Sequence, residues 1–280
     1  MADFVAISSD GVRLALKRFA PATGTRRRAV ALLTHAMMAR GAYLARYASF
    51  LAQGGVEAWV LDFRGHGGSV PPRAGQGPGW CFDDYVCRDL PAAVNSVAAA
   101  ANVTPAELVY VGHSLGGLVG LAGFGTNEAP APRRLVLVAV NVWTRPRGAR
   151  ALAAAAFVAA GRLVGRVPAR TLRIGSDDEP REYAEQFAIW ARRGFRARDG
   201  RDYRAALTRV HAPVLALVGD GDWMCRPADT REFLADLPHT PIIRCVGRVR
   251  GDASDPDHFA LLTDTRLGPV WQETLDFMIS

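Results

Sequence analysis

Gly112-His-Ser-Leu-Gly-Gly117 follows the apolar run Glu107-Leu-Val-Tyr-Val111 and precedes the small-residue run Leu118-Val-Gly-Leu-Ala-Gly123. This order predicts a strand, a sharp turn and a helix, with Ser114 at the apex of the turn. Glycines two residues to either side let the backbone pass without Cβ clashes, and the helix N-terminus presents free N–H groups beside the serine. The pattern predicts an exposed nucleophilic serine. The alternative is a glycine-rich turn without a chemical role.

Four more segments accompany this turn in a fixed order. They are a strand at 29–34 running into His35-Ala-Met-Met38, a strand at 56–61 running into Asp62-Phe-Arg-Gly-His-Gly-Gly-Ser69, a strand at 213–218 running into Gly219-Asp-Gly-Asp222, and a late Asp257-His-Phe259. Together with the turn they resemble the α/β-hydrolase superfamily almost from end to end, and within it the lipase-like and serine-aminopeptidase-like branch. The resemblance implies an α/β fold with a mostly parallel eight-stranded sheet, flanking helices and a helical cap insertion.

Strand-like and helix-like stretches alternate along most of the chain, which by itself favours a parallel sheet with helices on both faces. The predicted strands are 4–7, 12–19, 29–34, 56–62, 107–111, 134–140, 213–218 and 241–246, the first two forming an edge hairpin. The predicted helices are 43–53, 81–101, 227–236 and 266–279, and 70–79 is predicted to be a surface loop rich in proline and glycine.

Residues 142–209 interrupt this alternation and show no strand-like stretch. The sequence predicts helices at 149–163 and 179–193 here, and the resemblance identifies 142–209 as the cap, or lid, with 1–141 and 210–280 as the hydrolase core. Tyr183, Phe187 and Trp190 recur at helical spacing in the second helix. Such a stripe either packs internally or roofs a substrate pocket, and both interpretations stay open.

A serine hydroxyl needs a base to accept its proton and an acid to orient that base. The resemblance places the base between the last strand and the last helix, which is His258. His35 is the alternative base, and shaping the neighbouring loop is its other interpretation. The family pattern G-x-x-D places the acid on Asp222, with Asp220 as a turn-stabilising neighbour. Some relatives take the acid from the end of the preceding strand, but that position is Asn141, which carries no charge.

An acyl-transfer site also needs N–H donors aimed at the developing oxyanion. The resemblance assigns them to the backbone amides of Leu115 and Met37. The family commonly shows His-Gly in the second loop, whereas this chain has His35-Ala36, so a local difference in that loop is expected. The residues predicted to contact substrate are His35, Met38, His113, Trp143, Phe187, Trp190 and Trp223. Packing is the second interpretation of His113.

The net charge of +7 is unevenly distributed. Residues 142–209 carry 15 arginines against seven acids, a balance of +8 that leaves the rest of the chain at −1. This basic insertion is interpreted either as a solvated helical surface or as a rim that attracts anionic substrates or anionic lipid. No nucleic-acid-binding motif accompanies the arginines. The sequence shows no signal peptide, no apolar run long enough to span a bilayer, no metal-ligand cluster and no cofactor fingerprint.

These patterns predict a cytoplasmic serine hydrolase without a cofactor or metal, which cleaves carboxylic esters or thioesters through an acyl-enzyme on Ser114. Its partner is a small amphiphilic acyl substrate, with an anionic group as an option. The alternatives are an acyltransferase with the same residues, an aminopeptidase or amidase, and, from a different class, a non-catalytic interaction module. The four cysteines show no C-x-x-C spacing and are expected to be free thiols. The sequence does not indicate substrate identity or oligomeric state.

Overall fold

The computed structural model describes residues 4–69 and 79–280. Its strands are β1 (Phe4–Ile7), β2 (Arg13–Phe19), β3 (Ala29–Thr34), β4 (Val56–Leu61), β5 (Leu108–His113), β6 (Arg134–Val138), β7 (Arg166–Val167), β8 (Glu179–Pro180), β9 (Val214–Gly219) and β10 (Ile242–Val246). Except for Gly79, the loop predicted at 70–79 lies outside the described residues.

Eight of these strands form one sheet in the order β1-β2-β4-β3-β5-β6-β9-β10, which confirms the predicted fold. The β1–β2 and β2–β4 pairs are antiparallel, and the remaining pairs are parallel. Parallel strands point their carboxyl ends toward one edge of the sheet. The segments after β3, β5, β9 and β10 therefore meet there, and ligands of open α/β sheets bind at this edge.

The central strands are buried on both faces. Along β5, Leu108 and Tyr110 join one hydrophobic core while Val109 and Val111 join the other. This is the twofold alternation of an extended chain, and burial on both sides explains why the strand is an apolar run without polar alternation. The sequence of the central strands thus requires helices on both faces of the sheet.

The α-helices are α1 (Ala45–Gln53), α2 (Phe82–Asp84), α3 (Leu90–Ala101), α4 (Leu115–Gly125), α5 (Ala149–Val164), α6 (Ala169–Leu172), α7 (Arg181–Arg193), α8 (Tyr203–Ala206), α9 (Pro227–Leu234), α10 (Ala260–Thr263) and α11 (Gly268–Ile279). Short 3-10 helices span Gly41–Leu44, Pro105–Glu107, Leu207–Arg209, Arg248–Arg250 and Thr265–Leu267. In the described part of the chain, none of the helices has the length and hydrophobicity needed to cross a membrane.

The helix predicted at 81–101 is not continuous. A π-helical stretch at Tyr85–Asp89 separates α2 from α3. Pro91 explains the interruption, because its ring lacks an N–H and clashes with the carbonyl of Cys87 four residues earlier in a regular α-helix. A widened turn at this point relieves that clash.

The insertion 142–209 contains the two long helices that the sequence predicts, here α5 and α7. The insertion also contains two short strands, β7 and β8, which pair antiparallel through Arg166, Val167, Glu179 and Pro180 although the sequence shows no alternating stretch there. Strands of two residues are too short to produce a period-two pattern in the sequence. This pairing fixes the start of α7, since β8 ends at Pro180 and α7 begins at the next residue.

Candidate active site

Ser114 occupies the tight turn between β5 and α4. Its φ of 51° lies in the left-handed region, which a residue with a side chain adopts at a cost. The turn is held by a 2.8 Å hydrogen bond from Ser114 N–H to the carbonyl of Val138 in β6. The neighbouring glycines permit close backbone contact: a Cβ on Gly112 would lie 2.4 Å from the Cα of Gly117. Larger residues there would prevent the turn.

His258 follows β10, and Asp222 follows β9. The Nδ1 of His258 lies 2.7 Å from the Oδ2 of Asp222. The Oδ1 of Asp222 accepts two backbone N–H groups, from Met224 at 2.8 Å and from Cys225 at 3.0 Å. Both oxygens of the Asp222 carboxylate therefore have hydrogen-bond donors. The imidazole of His258 carries its proton on Nδ1, which leaves Nε2 as an acceptor.

Ser114 and His258 line the same cavity, which has a volume of about 170 Å³. The Ser114 hydroxyl forms no hydrogen bond with any other residue in 4–69 or 79–280. Catalytic hydrogen bonds are often loose without substrate and tighten when it binds. The arrangement therefore places a free hydroxyl and a free imidazole nitrogen on one cavity wall.

The rest of the cavity wall is mostly apolar and comes from both the core and the insertion. Met37, Met38, Leu115, Trp143, Phe187 and Trp190, all singled out from the sequence, line it. Tyr183 of α7 lines it too. The α7 stripe thus packs internally and also reaches the cavity, so the two interpretations of it do not exclude each other.

The loop after β3 contains a residue other than glycine with a left-handed φ. The left-handed φ of 56° belongs to Met38, not to Ala36. The carbonyl of His35 accepts a hydrogen bond from Gly116 N–H at 3.1 Å, which ties this loop to the first turn of α4. Met37 and Leu115 therefore flank the serine from two connected elements.

Two histidines predicted to contact substrate lie behind the cavity wall, which corrects that prediction. His35 is fully buried, with Nδ1 donating to the Ala36 carbonyl and Nε2 accepting from Phe63 N–H. Burial lowers the pKa of His35 to about 3, so the ring is neutral. His113 is also fully buried, and both of its ring nitrogens bond to protein groups. Position at a strand end did not reveal which way these rings point.

Trp223 does not line the cavity either, since it is 48% exposed and lies on an adjoining groove of about 510 Å³. Asn141, Val142 and Trp143 belong to both the cavity and the groove, so the two spaces share a wall. Arginines dominate the groove, and they are Arg145, Arg147, Arg150, Arg204 and Arg226. Asp229 and Glu232 are its only carboxylates within the described residues.

Several cavity residues have no counterpart in the sequence prediction. They are Ala36, Leu118, Ile174, Met224 and Phe259, together with the shared wall residues Asn141 and Val142. Adjacency to His258 could have indicated Phe259, but nothing in the sequence marks Ile174 or Met224. Within residues 4–69 and 79–280, no cluster of three or more His, Cys, Asp or Glu side chains is arranged to hold a metal ion.

Comparison with known proteins identifies the family to which the chain belongs. Residues 25–244 match the family described as serine aminopeptidase, S33. No curated protein sequence matches the chain.

Similar solved structures include an esterase from Exiguobacterium antarcticum, with a TM-score of 0.71, 14% identity and 100% of each chain covered. A monoacylglycerol lipase from Paleococcus ferrophilus has a TM-score of 0.64 at 16% identity, covering 95% of this chain and 98% of the lipase. The thioesterase domain from the curacin biosynthetic pathway has a TM-score of 0.56 at 15% identity, covering 96% of each chain. These structures share the fold. With most of its length matched by the family model, the chain belongs to the serine aminopeptidase S33 family of α/β-hydrolases.

Proposed function

We propose that the protein hydrolyses carboxylic esters or thioesters through an acyl-enzyme on Ser114. The observation that carries this proposal is the shared cavity: it is lined by a serine held at a left-handed φ and by a histidine whose other nitrogen is fixed by Asp222. That arrangement meets the requirements for nucleophilic catalysis by a hydroxyl.

In the first half-reaction, Ser114 Oγ attacks the substrate carbonyl carbon and its proton passes to Nε2 of His258. Asp222 stabilises the resulting imidazolium. The carbonyl oxygen becomes an oxyanion, for which the backbone N–H groups of Met37 and Leu115 are the proposed donors. The intermediate collapses, the bond to the leaving alcohol or thiol breaks, and His258 returns its proton to that group.

In the second half-reaction, water attacks the acyl carbon and gives one proton to His258 Nε2. A second oxyanion forms and collapses. The bond to Ser114 Oγ breaks, and the serine recovers its proton from His258 while the carboxylic acid departs. Each proton that His258 accepts is returned within the cycle, so no further reactant is needed.

The wall composition favours an acyl substrate over an amino-terminal peptide. An aminopeptidase has to recognise a free α-ammonium group, and a carboxylate is the side chain suited to that. Among the cavity-lining residues in the described part of the chain there is no Asp or Glu side chain. The names of the similar esterase, lipase and thioesterase structures support the same choice.

The adjoining groove supports a substrate that also carries a negative group. Arg150 is occupied, because it pairs with Asp229 at 2.6 Å and donates to the Trp223 carbonyl. Arg145, Arg147 and Arg226 line the groove, and none of them forms an ion pair within the described residues. Three cations next to an apolar cavity suit an amphiphile with a carboxylate or phosphate beyond its acyl chain.

The esterase proposal is tested with p-nitrophenyl esters of short and medium acyl chains. Wild-type protein is expected to release p-nitrophenol, and Ser114→Ala is expected to lose about 10⁴-fold or more of that rate. Equal rates for the two proteins would contradict the proposal.

The anionic substrate is tested separately, with an ω-carboxylated acyl ester and its methyl-capped neutral counterpart. Arg145→Gln and Arg147→Gln are expected to raise KM for the charged ester about tenfold, which corresponds to about 1.4 kcal/mol, and to leave the neutral ester unchanged. Arg162→Gln, an exposed arginine of α5 outside the groove, is the matched control. If charged and neutral esters respond alike, the groove does not bind the anion.

We further propose that the enzyme works in the cytoplasm. All four cysteines are unpaired in the described structure, which suits a reducing compartment. Fractionation of producing cells checks this, and recovery from an exported fraction would contradict it.

A further inference from the structure

Glu179, at the start of the second half of the insertion, is completely buried. Its Oε1 accepts the backbone N–H of Met38 at 2.8 Å and lies 3.2 Å from Nε2 of His66. Its Oε2 accepts the hydroxyl of Tyr85 at 3.2 Å. A glutamate is rarely found fully buried unless its oxygens are satisfied in this way. Here one of its three donors is the amide next to Met37.

His66 supplies the opposite charge. Its Nδ1 lies 2.9 Å from the Arg64 carbonyl, so both ring nitrogens have acceptors and both carry protons. Burial alone would lower the pKa of His66, but the adjacent Glu179 carboxylate raises it to about 9. A buried ion pair is a weak source of stability, because desolvation offsets most of the attraction. Its location against the loop of Met37 suggests a role beyond stability.

Residues just before Glu179 in the insertion bind the carbonyl group of Met38. The carbonyl of Met38 accepts backbone N–H groups from Ser176 at 2.8 Å and Asp177 at 3.3 Å. Arg40, two residues along the loop, pairs with Asp177 at 2.8 Å. Residues 176–179 thus form hydrogen bonds with both the N–H and the C=O of Met38. These hydrogen bonds account for the left-handed φ of 56° at a residue that is not glycine.

We propose that Glu179 is a positioning residue, which fixes the 37–38 backbone so that the Met37 N–H points at the substrate oxyanion. The inference rests on the proposed esterase function. The backbone on either side of Met37 is then held from two directions: the His35 carbonyl bonds to Gly116 N–H, and the Met38 N–H bonds to Glu179. The helix α7 begins two residues after Glu179 and places Tyr183 and Phe187 on the cavity wall. The same part of the insertion therefore lines the proposed substrate cavity and positions the proposed oxyanion donor.

The test compares Glu179→Ala and Glu179→Gln with wild type, using titrated active sites so that misfolded protein is not counted. Glu179→Ala is expected to lower kcat per active site about 30- to 100-fold with KM changed less than threefold, since losing an oxyanion donor costs about 10²–10³ in kcat. Glu179→Gln keeps an acceptor oxygen for Met38 N–H and is expected to recover most of this loss. Affinity for an alkyl boronic acid, whose tetrahedral serine adduct occupies the oxyanion position, is expected to fall in parallel with kcat.

Glu57→Ala is the matched control. Glu57 in β4 is also a buried glutamate, and it pairs with Arg18 at 2.8 Å and with Arg27 at 3.1 Å, but its side chain does not bond to the Met38 amide. This variant is expected to lose stability and to keep kcat per active site and boronate affinity within about twofold. If Glu179→Ala does not fold, Glu179→Gln is compared with Glu179→Leu instead. Leucine is similar in size to glutamine but has no acceptor oxygen for the Met38 N–H.

The outcomes separate the two proposals. A wild-type protein without esterase activity overturns both of them. An active wild type whose Glu179 variants keep kcat per active site and boronate affinity overturns the positioning role alone, and so does an equal loss in Glu57→Ala.

Discussion

The carbonyl oxygen of His258 accepts a 2.8 Å hydrogen bond from Nε2 of His113, the residue that precedes Ser114. The other ring nitrogen of His113 accepts the hydroxyl of Tyr43 at 2.5 Å, and the oxygen of Tyr43 accepts Ala36 N–H at 3.0 Å. Burial holds the pKa of His113 well below its usual range, so one nitrogen donates and the other accepts. The loops that carry Met37, Ser114 and His258 are therefore joined by one chain of hydrogen bonds.

Tyr43→Phe breaks this chain at its centre. It leaves Ala36 N–H and His113 Nδ1 unpaired, and each buried unpaired group costs about 1–3 kcal/mol. We expect a lower free energy of unfolding in urea and a lower kcat per active site, because the loop that carries His258 loses its support.

Tyr47→Phe is the control for this effect. Tyr47 is a fully buried tyrosine, and its hydroxyl bonds to Thr274 at 2.6 Å, away from the cavity. It is expected to lose about 1 kcal/mol of stability with kcat unchanged. If both variants lose kcat equally, the hydrogen-bond chain has no special role.

Asp222→Asn tests the assignment of the acid. The amide cannot stabilise the imidazolium and favours the wrong tautomer of His258, so kcat is expected to fall about 10³- to 10⁴-fold. Asp220→Asn is the neighbouring control, because Asp220 pairs with Arg250 at 3.1 Å. Loss of that pair is expected to cost no more than about 1 kcal/mol of stability and to leave kcat unchanged. The reverse ranking would move the acid to Asp220.

The Glu179–His66 pair makes a prediction about stability and pH. Folded His66 holds its proton up to a pH of about 9, whereas an unfolded histidine releases it near its ordinary pKa of 6.5. The stabilisation of the folded state by protonated His66 is thus fully present below pH 6.5 and is lost as the pH rises to about 9. We expect the free energy of unfolding to fall by up to about 1.4 kcal/mol per pH unit between 6.5 and 8 from this group.

His66→Gln isolates that contribution. Its free energy of unfolding, measured by urea denaturation at each pH, is expected to be flatter than that of wild type between pH 6.5 and 8. The acid side is governed by other groups, including His35, whose pKa of about 3 makes folding less favourable as the pH falls below 6.5. Parallel wild-type and variant curves would show that His66 is not charged in the folded protein.

Gly116→Ala tests the packing of the turn around Ser114. An added Cβ would lie 2.3 Å from Thr34 Oγ1 and 2.8 Å from the Thr34 carbonyl oxygen, which cannot move without disturbing β3. We expect a loss of about 1–3 kcal/mol in urea denaturation, together with lower activity.

Gly123→Ala, in the same helix, meets mainly a methyl group of Leu90 that can rotate away. The gain of about 1 kcal/mol in helix propensity offsets that contact, so little net change is expected. Equal losses in the two variants would indicate that the helix as a whole, and not the turn, resists substitution.

The sequence predicted the sheet well because its central strands are continuous apolar runs that end in recognisable loops. Ser114 and Asp222 were singled out for the same reason, since each lies just after a strand, whereas His258 was singled out by its place in the loop between the last strand and the last helix. Predictions that depended on side-chain direction were less successful. His35 and His113 stand at strand ends like the others, yet their rings turn into the protein.

Glu179 was out of reach of sequence reasoning. It ends the acidic run Asp177-Asp178-Glu179 in front of a helix, where acids favour the helix dipole and usually face solvent. Only the pairing of β7 with β8 and the fold of residues 174–179 over Met38 bring it under the loop. Contacts that span 141 positions in the chain, as this one does, leave no local pattern.

The central claim is that Ser114 is the nucleophile and that His258 activates it. The most direct measurement is intact-protein mass spectrometry after treatment with a fluorophosphonate, followed by peptide mapping. The account predicts one adduct per chain, on the peptide that contains Ser114, with no adduct in Ser114→Ala and labelling slowed at least about 10³-fold in His258→Ala. An adduct on another residue, or undiminished labelling of Ser114→Ala, would contradict it.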